Sequence, residues 1–225
     1  MIGVQFAQVG GSDLDITNVG ALDDAMSGFD DEGTFATELQ VWNGNGYDYF
    51  CWSGTSGTDV LDDPTYDNIW LDLNTMEPVD DVASAGSGFW IKAEKAGTMT
   101  ISGEVPSSAT TTVAISAGFN MVANPYPGAV SITHFGVLDS SFAGFDDEGT
   151  FANELQVWNG NGYDYYGWSG TSGTDVLDDP TYDNIWLDLN TMEPVSTEIP
   201  FGKAVWIKAK TAGNITFTSP LSSGN

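Results

Sequence analysis

The stretch LQVWNGNGYDYFCW, residues 39–52, reads as two extended segments joined by a tight turn. LQVWN and YDYFCW are built from aromatic and β-branched residues that suit a pleated, half-buried surface. Between them Asn43-Gly44-Asn45-Gly46 supplies residues that tolerate positive φ, so the segment predicts a β-hairpin. The same text, with two changes, returns at 155–168. Working outward, residues 29–79 and 145–195 form two 51-residue blocks at an offset of 116 that differ at three positions. Thr37 becomes Asn153, Phe50 becomes Tyr166 and Cys51 becomes Gly167, while Trp42, Trp52, Trp70 and Trp90 recur as Trp158, Trp168, Trp186 and Trp206. The chain therefore reads as a tandem duplication. A function exercised twice weighs against a single catalytic centre and towards a module that binds, coats or assembles.

The flanks carry the same period of two. DNIWL at 67–71, GFWIKAE at 88–94 and GTMTISG at 97–103 predict further strands, with counterparts at 183–187, 204–210 and 213–219. In GFWIKAE, Phe89, Ile91 and Ala93 share one face and Trp90, Lys92 and Glu94 the other, as one buried face requires. Ile16, Val19 and Leu22 fall at intervals of three, which predicts a short helical turn there and in SITHFGVLDSSF. Pro106-Ser107-Ser108 marks a boundary. The expectation is an all-β chain of two tandem β-sandwich-like domains, 1–105 and 106–225, the first lacking its opening strand.

Length and composition agree. Two units of about 110 residues each lie in the ordinary domain range, and 41% hydrophobic residues allow a core despite a formal charge of -27. There is no Arg, and the only cations are Lys92, Lys95, Lys203, Lys208 and Lys210. Phosphate backbones are gripped by clustered Lys and Arg, so nucleic acid is an unsuitable partner, and an anionic membrane surface is disfavoured for the same reason. No run is long enough for a membrane span.

Twenty-two of the 32 acids lie in the two near-identical blocks, which hold no Lys or Arg. One reading is a solvated surface that keeps the protein soluble. The sharper one is a calcium site in each copy of GTDVLDDPTYDN, built from Asp59, Asp62, Asp63 and Asp67 and from Asp175, Asp178, Asp179 and Asp183. Neither copy matches a twelve-residue EF-hand loop. Cys51 stands alone, so it forms no disulfide within the chain and reads as a small packing residue.

Reaction machinery is not visible. The single histidine, His134, reads as a surface or turn residue, and no HExxH, CxxC or phosphate-cradling GxxxxGK occurs. Asp48 and Asp164 sit within the aromatic hairpins, but abundance of acids does not make a glycosidase pair. A non-enzyme is expected. Trp42, Tyr47, Tyr49 and Trp52, with Trp158, Tyr163, Tyr165 and Trp168, present aromatics on both strand faces. One set must fill a core, and the other either packs between units or contacts a polysaccharide.

The two ends differ. Unit 2 is introduced by TTVAISAGFNMVANPYP, whereas unit 1 begins at MIGVQF, and the best local alignment sets Met1 against Met121. A strand matching TTVAIS is thus missing from unit 1. An upstream segment, the C-terminal NITFTSPLSSGN folded back, or a neighbouring subunit would supply it. Strand addition at an open sheet edge is a known assembly mode, and the candidate assembly residues are Met1, Ile2, Val4, Phe6, Ile215 and Phe217.

GFNMVANPYPGAVSI at 118–132, LQVWNGNGYDYY at 155–166 and GFWIKAEKAGTMTISGEVP at 88–106 resemble the β-rich repeat of secreted and cell-surface proteins of Bacteroidetes and Verrucomicrobia-type bacteria. There an NPYP opening, a WNG-Y hairpin and a G-FW-K strand recur in that order. The resemblance implies export and a β-sandwich-like domain, without an assigned chemistry or catalytic residues to carry over. Unit 1 departs from it, since Pro125 and Pro127 have no equivalents in MIGVQFAQVGG. MIGVQFAQVGG also lacks the basic start and apolar middle of a signal peptide. The expected product is an exported structural subunit at the cell surface or outside the cell, acting after removal of an N-terminal segment. It polymerises with itself by strand donation; the alternative is a monomeric adhesin or carbohydrate-binding module.

Overall fold

The computed structural model describes residues 2–3, 14–15, 21–22, 28, 34–55, 63–79, 82–83, 86–100, 107–132, 137–138, 142–144, 149–171, 179–195, 197–200 and 202–219. It is all-β. The first half contributes β1 (Ile2–Gly3), β2 (Leu14–Asp15), β3 (Ala21–Leu22), β4 (Thr37–Trp42), β5 (Tyr47–Trp52), β6 (Trp70–Asp72), β7 (Val82–Ala83), β8 (Gly88–Ala93) and β9 (Met99–Thr100). The second contributes β10 (Thr110–Ile115), β11 (Gly118–Ala123), β12 (Val130–Ser131), β13 (Val137–Leu138), β14 (Glu154–Trp158), β15 (Tyr163–Trp168), β16 (Trp186–Asp188), β17 (Glu198–Ile199), β18 (Ala204–Ala209) and β19 (Gly213–Thr218).

Two five-stranded antiparallel sheets have matching orders, β1-β8-β4-β5-β6 and β11-β18-β14-β15-β16. Their registers match as well: Trp42 faces Tyr47 as Trp158 faces Tyr163, and Glu38 faces Lys92 as Glu154 faces Lys208. The minor pairs β2-β7 and β3-β9 are repeated at the same offset by β12-β17 and β13-β19. β1 alone breaks the offset. Ile2 faces Phe89 where Val122 faces Val205, so the strand aligns at 120, as setting Met1 against Met121 requires.

The hairpin forms where the Asn-Gly-Asn-Gly turn places it. Gly44 adopts φ 98° and Gly160 φ 104°, values that an L side chain rarely takes. The Asn43 carboxamide oxygen accepts from the Asn45 and Gly46 amides, and its nitrogen donates to Asp48 at 2.9 Å. Asn159 and Asp164 repeat this bond. Asp48 and Asp164 are therefore exposed hairpin acids engaged by an asparagine.

In the second half a three-stranded sheet, β10-β19-β13, lies over the five-stranded one, and residues of both sheets share one core. Val205, Ile207 and Ala209 point into it from β18, and Ile115, Ile215 and Phe217 from the opposite sheet. This is a β-sandwich. Within it Trp168 and Trp186 meet edge to face with centroids 5.2 Å apart, as Trp52 and Trp70 do in the first half. Such pairs contribute about 0.5–1.5 kcal/mol beyond their buried area. The indole N–H groups of Trp52, Trp70 and Trp168 are buried without a hydrogen-bond partner among the described residues.

Two expectations need correction. The strand expected at 67–71 begins at Trp70, because Asn68 lies in the left-handed region at φ 56° and ends a 3-10 turn, Pro64–Tyr66. The helical turn expected from Ile16, Val19 and Leu22 does not hold at its end: Ala21–Leu22 is a strand, as is Val137–Leu138. Pairing with β9 and β19 decides both, and residues 16–20 and 133–136, His134 included, lie outside the described residues.

Candidate functional site

The aromatic residues of the hairpins divide by strand face. Trp52 and Trp168 turn inward to the Trp70 and Trp186 rings and are buried, which removes them from the candidate contact surface. Trp42, Tyr47 and Trp90 stand on the opposite face, and so do Trp158, Tyr163 and Trp206. These two outer faces meet. Trp42 approaches Trp206 at 5.3 Å and Trp158 approaches Trp90 at 6.0 Å, both edge to face. Under the 116 offset each contact is the exchange of the other, so the seam joining the halves is self-complementary, like a two-fold homodimer interface within one chain. Met121, Ala123 and Ala204 complete it.

Close approach depends on one departure from the repeat. Gly88 and Ala204 are equivalent positions that face each other across the seam, and a Cβ added at Gly88 would lie 2.4 Å from the Ala204 Cβ and 2.8 Å from Met121 Cγ. Two alanines would clash. Alongside, the Ala123 amide donates to the Gly86 carbonyl at 2.6 Å, and Ser87 bridges to Val122.

The seam leaves a groove of about 240 Å³ lined by Trp42, Tyr47, Phe119, Gln156, Tyr163 and Trp206. Burial pushes the Tyr47 and Tyr163 phenols above their ordinary range, partly offset by indole donation from Trp90 and Trp206 respectively. Both phenols stay neutral and protonated in physiological conditions. Tyr49, Tyr165, Phe119 and Trp158 remain about 40% exposed around the seam, the largest apolar rings open to solvent among the described residues. No Asp or Glu lines this groove.

Within the described residues the acids cap and close turns. Asp63 and Asp179 each cap a 3-10 turn, accepting from the Thr65 and Thr181 amides at 2.9 Å, and these bonds hold both carboxyls below the usual carboxylate range. Asp67 and Asp183 close the same turns through their amides to the Pro64 and Pro180 carbonyls. Asp72 accepts from the Asn74 and Thr75 amides and is lowered likewise. Among the described residues no three His, Cys, Asp or Glu side chains cluster to hold a metal; Asp59, Asp62, Asp175 and Asp178 lie outside them. The Asp-Pro-Thr sequence is itself the signal of a cap.

Ile215 and Phe217, expected at an assembly surface, are buried in the second sandwich, where β19 pairs with both β10 and β13. The C-terminal strand is therefore committed to its own half and does not complete the first. Ile2 lies in β1, while Met1, Val4 and Phe6 fall outside the described residues. Cys51 is buried and its thiol is pushed up to about 12, chiefly by desolvation, which makes it inert as a nucleophile. Its counterpart Gly167 lies under the Phe151 ring, 2.3 Å from where a Cβ would stand.

The decisive geometric difference between the halves lies at β8. All six residues of β18 pair with β11, whereas β8 pairs with β1 only at Gly88 and Phe89. Among the described residues, Trp90–Ala93 has no strand on that edge. The core reflects it: Ile207 is fully buried and Ala209 nearly so, but Ile91 is half-buried and Ala93 exposed. Comparison with known proteins finds no family model, no curated protein and no solved structure that matches the chain.

Proposed function

We propose that the chain is a non-catalytic structural subunit of an extracellular assembly, joined to neighbouring units of its own repeat kind by strand addition. The observation that carries this reading is the edge of β8 over Trp90–Ala93, which has no strand beside it among the described residues, in a sheet whose counterpart β18 is paired along all six residues. An uncovered edge offers unpaired N–H and C=O groups to another chain, and proteins either block such an edge or use it. Proteins commonly blunt an edge with charge, and here the Lys92 ammonium is paired with Glu38 at 2.7 Å. The placement outside the cell rests on the resemblance to secreted β-rich repeats. Size-exclusion chromatography with negative-stain microscopy tests the reading: ordered oligomers or filaments are expected, and a monodisperse monomer at all concentrations refutes it.

A second reading is supported by the seam groove, whose aromatic rings and Gln156 amide suit stacking and hydrogen bonding to a neutral sugar chain. A charge of -27 disfavours an acidic polysaccharide. Retardation of the chain in native gels containing neutral polysaccharide, abolished by Phe119→Ala, is the expected result. Unchanged mobility removes this reading.

A further inference from the structure

Resting on the assembly reading, we infer that the first half is a docking site for a two-stranded β-arch of the Thr110–Ala123 kind, borne by a partner polypeptide in which that arch is uncommitted. Three observations define the occupant. β10 and β11 form one arch, unpaired with each other, that turns through Ser116 and Ala117 from the three-stranded sheet into the five-stranded one. Its first strand covers β19 and its second covers β18. Among the described residues of the first half, the equivalents of both covered strands lack that cover: β9 pairs with β3 alone, and β8 has no strand beside Trp90–Ala93. A single arch would close both sheets.

The third observation is a missing carbonyl. Trp42 donates its indole N–H to the Phe119 carbonyl at 2.7 Å. The exchange symmetry of the seam requires an equivalent acceptor for Trp158, and this indole is instead 40% exposed. The register fixes where the carbonyl belongs. Ile2 and Gly3 occupy the places of Val122 and Ala123, so an incoming strand continues from the Met121 place, its Asn120 equivalent opposite Ile91 and its Phe119 equivalent opposite Lys92. That position brings its carbonyl to Trp158.

The chemistry of the arch follows from the turn it must make. Gly118 adopts φ 98°, and the Asn120 carboxamide closes the loop by accepting from the Ser116 amide and donating to the Ser116 carbonyl, both at 2.8 Å. The occupant is therefore an alternating Thr/Val/Ile strand followed by Ser-x-Gly-x-Asn. The chain's own arch is a poor donor, since it already covers β18 and β19 and its release would lose as many strand pairs as docking forms.

The test uses the 225-residue chain with a synthetic peptide of residues 108–121, and in parallel a fusion carrying 108–120 directly before Met1, which the 120 register makes continuous. The expected results are one-to-one peptide binding, protection of the Trp90–Ala93 amides against hydrogen exchange, and a blue shift in emission that Trp158→Phe diminishes. Binding of this kind stabilises by mass action, and the fusion is expected to raise the melting midpoint by about 4 °C or more. A peptide with Gly118→Ala should bind at least about tenfold more weakly, because φ 98° is strained for any side chain. The inference is overturned if neither peptide nor fusion protects Trp90–Ala93. Protection by either one in a chain that stays monomeric upholds docking and removes the assembly reading; ordered assemblies whose Trp90–Ala93 amides stay unprotected in both tests overturn docking and show that the chain assembles through another surface.

Discussion

Ile91 and Ile207 occupy the same position in two sheets of matching order, yet Ile207 is sealed in a sandwich core and Ile91 is half-buried. The local sequences around them, GFWIKA and KAVWIKA, are almost the same. What differs is the strand alongside, six paired residues in one half and two in the other. Burial of a β residue is thus set by its neighbours in space rather than by the alternation of its own segment, and a repeated text can serve as a closed module in one place and an acceptor in another.

The comparison can be broken first at the aromatic cores. Trp168→Ala and Trp52→Ala each remove a buried ring from an equivalent pair, and each is expected to cost about 3–5 kcal/mol. The Trp52→Ala protein should lose its first half while the second stays folded, read by the near-UV signal of the remaining tryptophans. A single shared unfolding transition in both variants would show that the halves do not act separately.

The seam comes next. Gly88→Ala places a methyl group against Ala204 and Met121, and overpacking of this kind costs about 1–3 kcal/mol. Adding Ala204→Gly should restore most of the melting temperature, since it reverses the Gly and Ala positions across a self-complementary face. No rescue would mean that the two positions are not coupled. A smaller effect is expected at the Phe50 and Tyr166 difference: the Tyr166 phenol oxygen accepts from the Thr197 hydroxyl, so Tyr166→Phe should cost about 0.5–1.5 kcal/mol by chemical denaturation.

The smallest effect concerns acid. Hydrogen bonds from two amides hold the Asp72 carboxyl below its ordinary range. A group lowered in the folded state contributes stability above its unfolded value of about 3.9, and that contribution is lost as pH falls through the folded value. The difference in melting temperature between the native chain and Asp72→Ala should therefore be constant near neutrality and shrink below about pH 4. A difference that widens on acidification would reverse the assignment.

Much of the fold was legible in the sequence. The Asn-Gly-Asn-Gly turn fixed the hairpin, alternation in GFWIKAE fixed β8, and setting Met1 against Met121 anticipated the register of β1. Short strands were less so. Ala21–Leu22 is extended because β9 lies beside it, a long-range pairing that spacing by three cannot reveal. Aromatics on both faces of YDYFCW implied that one set packs against something, but not that the partner is the equivalent face of the same chain. The signal was present in the Gly88 and Ala204 difference, which becomes meaningful only when the two positions face each other. Ile215 and Phe217 were assigned to assembly from their place near the chain end, whereas their alternation in NITFTS already marked a buried face.

Native-state hydrogen exchange on the 225-residue chain, in dilute solution where it is not assembled, tests the central claim most directly. The amides of Trp90–Ala93 that point away from β4 are expected to exchange quickly, while the equivalent amides of Trp206–Ala209, bonded to β11, stay protected. Equal protection of the two strands would contradict the open edge and, with it, the docking site.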